Sequence, residues 1–197
     1  KNYPSVRFSL EGEQREQNES LGSIFKNFIF AMIVIYTLLA IPFRSYSQPL
    51  VVMGAIPFGL TGAIIGHIIM GQNLTILSLI GIVALAGVVV NDSLVLVDFI
   101  NRYRREGHNV YEAVLEAGPR RFRPILLTSL TTFFGLFPLL MEKSVQAQFL
   151  IPMAVSLAYG VLFATVITLV IVPSAYLFID NLSNRNKAHN AHIKLDR

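Results

Sequence analysis

Asn91, Asp92 and Asp98 stand in the stretch GVVVNDSLVLVD, inside an apolar run from Leu74 to Ile100. The run is long enough to cross a bilayer, which takes about 20 residues. An ionised carboxylate near a bilayer centre costs about 2.5 kcal/mol on insertion scales, so such residues usually face a bundle interior and mark an ion or substrate path. On a 3.6-residue period Ala84, Asn91 and Asp98 fall close to one line with Gly87 beside it, and Asp92 is turned by about 100° from Asn91. Asp92 lies deep in the run and needs either a proton or a partner, which points to ion-coupled transport; a neutral, hydrogen-bonded structural Asp is the competing reading. Asp98 lies near the end of the run, where it can reach water or pair with Arg102 at i+4.

The other side chains with chemical potential are fewer. Thr128, Thr131, Thr132 and Gly135 share one helical face, so three hydroxyls converge where a polar partner can bond, unless each bonds back to its own helix. Gly62 and Gly66 stand in GxxxG spacing, and Gly81, Ala84 and Gly87 follow on the next run. Small residues at these intervals let membrane helices approach closely, and these five are expected packing positions. His67, His108, His189 and His192 have no metal spacing, and His67 near a run end reads as interfacial; no metal site is expected. GxxxxGK[ST], GxSxG and HExxH are all missing, so neither an enzyme nor a cofactor is expected.

Composition sets the class. The chain has 197 residues, is 53% hydrophobic and only 14% charged, which is too apolar for an ordinary soluble domain of this length. Its mean hydropathy is +0.57. With no cysteine, disulfide frameworks and Cys-ligated metal sites are excluded. Nothing after Lys1 reads as a signal peptide, and the chain is expected to be part of a longer polypeptide.

These residues must be positioned by an all-α membrane bundle of five helices. Residues 1–23 are polar: Val6, Phe8 and Leu10 alternate with polar neighbours as in a short strand, and EGEQREQNES reads as a solvated helix or linker. Spans are expected at about 24–43, 49–70, 74–100, 123–141 and 149–179, within a bundle 24–182, followed by a tail 183–197. Between the third and fourth spans, Asn109 with Glu112 makes a capping-box pattern. Val110, Ala113, Val114 and Ala117 then recur at helical spacing until Gly118-Pro119, which predicts a short amphipathic helix over about 109–118, lying along the cytoplasmic face of the membrane or serving as a rigid connector. One alternating set of flanks holds Arg44, Arg102, Arg104, Arg105, Arg120, Arg121, Arg123, Arg185, Lys187, Lys194 and Arg197, eleven of the 16 basic residues. The other set holds Lys1, Arg7, Arg15, Lys26 and Lys143. The excess places the N-terminus outside the cytoplasm and the C-terminus inside. These arginines hug span ends without interleaved aromatics, so nucleic acid is not an expected partner.

The stretches FRSYSQPLVVMGAIPFGLTGAIIG, GVVVNDSLVLVDFINRYRREG, EAVLEAGPRRFRPILLTSLTTFFGLFPLL and VPSAYLF resemble the C-terminal membrane half of bacterial resistance-nodulation-division efflux permeases. The resemblance covers nearly the whole chain and implies the last five of twelve spans. It further implies a multi-pass inner-membrane location and drug export by proton antiport, driven by the proton-motive force. The implied partners are the N-terminal half of the same permease, sister subunits of a homotrimer, a periplasmic adaptor, an outer-membrane channel and membrane lipids. In that family a proton relay pairs two aspartates of the fourth span with a lysine of the tenth, and Asn91 stands in the lysine's place. The family's functional arginine and threonine at the start of the eleventh span match Arg121 and Thr128. The relay candidates are therefore Asp92, Asn91, Arg121, Thr128 and Asp98. A protein- or lipid-export relative, or a purely structural bundle within such a transporter, would share these features.

Overall fold

A computed structural model describes the backbone of residues 12–195 and the side chains of residues 19–182. The expected strand around Val6–Leu10 lies outside the described residues. The helices are α1 Gly12–Phe43, α2 Gln48–Met53, α3 Ile56–Met70, α4 Ile76–Arg105, α5 Val110–Leu140, α6 Val145–Gln148 and α7 Ile151–Leu195. Among the described residues, five stretches are long and apolar enough to cross a membrane: Glu19–Phe43, Gln48–Met70, Ile76–Arg105, Val110–Leu140 and Ile151–Leu182. The polar segment before the first span is helical from Gly12 and continuous with it.

Local chemistry explains most boundaries. Thr75 caps α4 by accepting from the Ser78 backbone N–H, and the Ser78 side chain accepts from Thr75 in return. Asn109 and Glu112 form the capping box expected of them at the start of α5. Gly71, at φ 63°, ends α3 in the left-handed conformation that glycine adopts without steric cost. The expected stop at Gly118-Pro119 is absent: α5 runs unbroken through Pro119 and Pro124, so the amphipathic segment and the fourth span are one helix. Each proline removes only one bond to the carbonyl four residues earlier. Burial of Ala113, Val114 and Ala117 before the prolines and of Ile125 after them holds both parts of the helix on the same core.

The long α7 is the centre of the bundle, packed on α3, α4 and α5. Close approach depends on glycine at three of the expected positions. A Cβ on Gly66 would collide with the Tyr159 side chain, one on Gly62 would lie 3.0 Å from Tyr159 O, and one on Gly81 would lie 2.6 Å from Met153 O. Ala84 and Gly87 do not share this role: both are exposed, and a Cβ on Gly87 would meet nothing within 4 Å. They lie on the side of α4 turned away from α7, because α4 presents Gly81 and Leu85 to it instead. At the margin, α1 buries only 6% of its apolar window, against 50% for α4 and for α7.

Candidate functional site

α4 divides the polar residues between two faces. Asn91 is exposed on the open side, in line with Ala84 and Gly87. Asp98, half-buried on the same side, accepts from Arg102 NH2 at 3.0 Å, the i+4 pairing its position allowed. Asp92, one residue from Asn91, is 6% exposed and lies within the bundle beside Ser93, whose hydroxyl donates to Val89 O at 2.8 Å. The two neighbours therefore serve different surroundings, as the 100° between adjacent helical residues requires.

α5 runs antiparallel to α4 and supplies the second wall. The Arg121 guanidinium lies over the Phe99 ring at 5.1 Å, and that of Arg120 lies over Tyr103 at 5.5 Å while its Nε donates to Glu116 at 2.7 Å. Tyr103 in turn stacks on His108 at 3.9 Å, closing the α4–α5 turn. These pairings place Asn91 near the level of Thr128, and Asp98 near that of Arg121. Arg121 Nε is buried with no hydrogen-bond partner among the described residues, so this side chain is held by an aromatic face and not by an acid. The three threonines bond to their own helix: Thr128 donates to Pro124 O at 3.0 Å, Thr131 to Leu127 O at 2.9 Å, and Thr132 to Thr128 O at 2.9 Å. Among the described residues their hydroxyls do not bond to one another's hydroxyls or to a neighbouring helix. Asn91, Asp98, Arg121 and Thr128 thus border one open side of the bundle, and Asp92 is not among them.

Two polar groupings were not foreseen from the sequence. At the arginine-rich end, Asn101 Nδ2 donates to Gln48 Oε1 at 2.7 Å, and the Tyr176 hydroxyl donates to Asn101 Oδ1 at 2.7 Å. Arg104 NH1 donates to the Tyr176 hydroxyl and to Asp180 Oδ1, both at 2.9 Å. This network ties α2, α4 and α7 together. The partners in these bonds are 53 to 76 residues apart along the chain, so no spacing rule could reveal them. A cavity of about 370 Å³, lined by Asp98, Asn101, Arg104 and Arg105, opens beside it.

At the opposite end His67 is 3% exposed, a correction to the interfacial reading. Its Nδ1–H donates to Ala63 O at 2.9 Å, which leaves Nε2 to accept from the Ser78 hydroxyl at 2.8 Å. Gly71 turns the chain back so that α4 covers the ring. In the loop between α5 and α6, Glu142 Oε1 accepts the backbone N–H groups of Ser144 and Lys143, each at 2.9 Å, which holds its carboxyl below the usual range.

Comparison with known proteins adds relatives to this geometry. The AcrB/AcrD/AcrF family pattern matches residues 3–180. Multidrug resistance protein MdtC of Proteus mirabilis (strain HI4320) is 30% identical over 189 residues, covering 94% of this chain and 18% of the relative. Two crystal forms of a heavy metal efflux pump superpose with TM-scores of 0.76 and 0.75, at 25% and 26% identity. They cover 86% and 90% of this chain but 17% and 18% of the pump. The chain therefore spans less than a fifth of the length of these relatives.

Proposed function

The chain belongs to the AcrB/AcrD/AcrF family of efflux permeases, and on that premise we propose that it is the C-terminal membrane part of an inner-membrane permease exporting drugs or other amphiphiles by proton antiport. The observation that carries this reading is the open side of α4 and α5. In an isolated membrane bundle a lipid-facing surface would be apolar, yet this one exposes Asn91 and Thr128, with Arg121 and Asp98 at one end. Such a surface requires a polar partner, and the N-terminal membrane half of the same permease is the partner the family supplies. An acidic side chain from that half would meet the half-buried Arg121 guanidinium at one end of this side, and Asn91 and Thr128 at one depth.

Asn91 cannot carry the positive charge that the family's lysine brings to a relay. Coupling then falls to protonation of carboxyls, with Arg121 as the fixed cation and Asp92 and Asp98 as further acids. The basic residues support an orientation with the Arg102–Arg123 region in the cytoplasm and the Lys143 loop in the periplasm. The multidrug relative supports a drug or amphiphile as cargo. A homotrimer working with a periplasmic adaptor and an outer-membrane channel follows from the same membership, and no bond-making chemistry is assigned to the chain.

The test is drug efflux by the full-length permease in energised cells. Asn91→Ala, Arg121→Ala and Thr128→Ala should each lower efflux at normal expression, and a protonophore should abolish wild-type efflux. Full activity in all three variants would reject the assignment.

A further inference from the structure

We propose that Asp92, with Ser129, Thr165 and Thr168, forms an interior site in the α4–α5–α7 seam that binds one monovalent cation, either a proton or a sodium ion. Three observations converge on it.

The first is direction. Asp92 is 6% exposed and lies one heptad before Phe99, which meets α5 through Arg121, and one heptad after Leu85, which packs against Gly160 of α7. Seven residues fall about 20° short of two full turns, so Asp92 faces between α5 and α7.

The second is level. Partners across α4 and α7 are 75, 76 and 78 residues apart for Asn101–Tyr176, Arg104–Asp180 and Ser78–Ser156. That register sets Asp92 level with Thr168. The antiparallel pairing of Phe99 with Arg121 and of Tyr103 with Arg120 sets it level with Ser129. Ser129 is fully buried and shares a hydrogen bond with Thr165, so α5 and α7 bring hydroxyl oxygens to the depth of the α4 carboxyl.

The third is unmet demand. Thr168 Oγ1 is buried and has no hydrogen-bond partner among the described residues, although its residue is only 1% exposed. No hydrogen bond or ion pair reaches the Asp92 carboxylate among them either. The charged and titratable groups on the packed elements, among the described residues, are His67 of α3, Asp98, Arg102, Tyr103, Arg104 and Arg105 of α4, Tyr111, Glu112, Glu116, Arg120, Arg121 and Arg123 of α5, and Tyr159, Tyr176 and Asp180 of α7. None neutralises Asp92. The stretches 124–141 and 151–179 carry no Lys or Arg, and Arg121 lies over Phe99, two turns or about 10 Å along α4. A buried carboxylate without a protein cation must take its positive charge from outside. A proton would leave a neutral carboxylic acid that can donate one hydrogen bond to a hydroxyl oxygen of the seam, whereas sodium would be held by carboxylate and hydroxyl oxygens, the hard ligands it prefers.

This deepens the coupling role given to Asp92 above. It is tested by occupancy and not by flux, so a permease that exports no drug can still show the site, and an active one can lack it. The purified full-length permease is treated with dicyclohexylcarbodiimide, which reacts with protonated carboxyls in apolar surroundings. The Asp92 peptide is followed by mass spectrometry across pH, in sodium chloride or choline chloride of equal ionic strength. Labelling of Asp92 that falls as pH rises, equally in both salts, identifies a proton site. Suppression of that labelling by at least tenfold in sodium but not in choline identifies a sodium site. Thr168→Val should change the labelling rate severalfold at neutral pH and Thr168→Ser should restore it, which separates a ligand from a packing residue. The proposal is overturned if Thr168→Val labels like wild type. It is also overturned if no pH yields either an adduct or a protonated-carboxyl infrared band that disappears in Asp92→Asn.

Discussion

Arg121 is anchored by the ring of Phe99, with its Nε buried and unpaired, whereas its neighbour Arg120 is bound to Glu116 at the surface. A guanidinium held by an aromatic face keeps its hydrogen-bonding edge available for a partner. Arg121→Ala should therefore lower efflux at least tenfold while Arg123→Ala stays near wild type, measured as dye extrusion at matched expression. Phe99→Leu should fall between them, because an aromatic face contributes about 0.5–1 kcal/mol to holding a cation. At the same scale, Arg104→Ala removes the link between α4 and α7 made through Tyr176 and Asp180. Arg104 is partly open to solvent, so the expected loss is only about 1 kcal/mol, seen as a small drop in thermal stability in detergent. A larger drop in Asn101→Ala would show that the amide network, and not the ion pair, holds that end.

Among the helices, the glycine positions separate packing from function. Gly66→Ala should destabilise the bundle by about 1–3 kcal/mol, since its Cβ would strike Tyr159 at a well-packed crossing. Gly87→Ala meets nothing in this part of the permease and should leave its stability unchanged. If that face receives the N-terminal half, Gly87→Leu in the full-length protein should nonetheless impair transport. Thermal unfolding of both variants beside their efflux rates would show whether the two effects separate. α5 makes a related point: its prolines read as breaks in one dimension, but a helix gripped by its core on both sides of Pro119 and Pro124 continues through them.

For the whole molecule, the five apolar spans and the skew of basic residues predict an orientation that labelling can check. The chain contains no cysteine, so Arg105→Cys and Lys143→Cys in an otherwise cysteine-free permease report one site each. Lys143→Cys is expected to react with an impermeant maleimide in intact cells, and Arg105→Cys only after lysis. The chain alone should move no drug when reconstituted, because it leaves its polar α4–α5 side uncovered and spans 18% of its multidrug relative. Proton-dependent flux in vesicles holding only this segment would contradict that.

The sequence by itself determined what depends on neighbours along the chain. Runs of about 20 apolar residues set the number of spans. Asn109 with Glu112 set the start of α5, and the i+4 spacing of Asp98 and Arg102 set their pairing. Tertiary structure alone decided which side of each span faces a neighbour, because a membrane helix is apolar all round and its hydrophobic pattern does not mark an interior face. That is why Gly62, Gly66 and Gly81 pack while Ala84 and Gly87 do not. For the same reason His67 is covered and not interfacial, and Asn91 stands in the open while Asp92 is enclosed. The hydroxyls of Ser129, Thr165 and Thr168 come to the depth of Asp92 only because α5 and α7 fold back beside α4. Contacts between residues so far apart in the chain arise from the packing of whole helices, which no local spacing encodes.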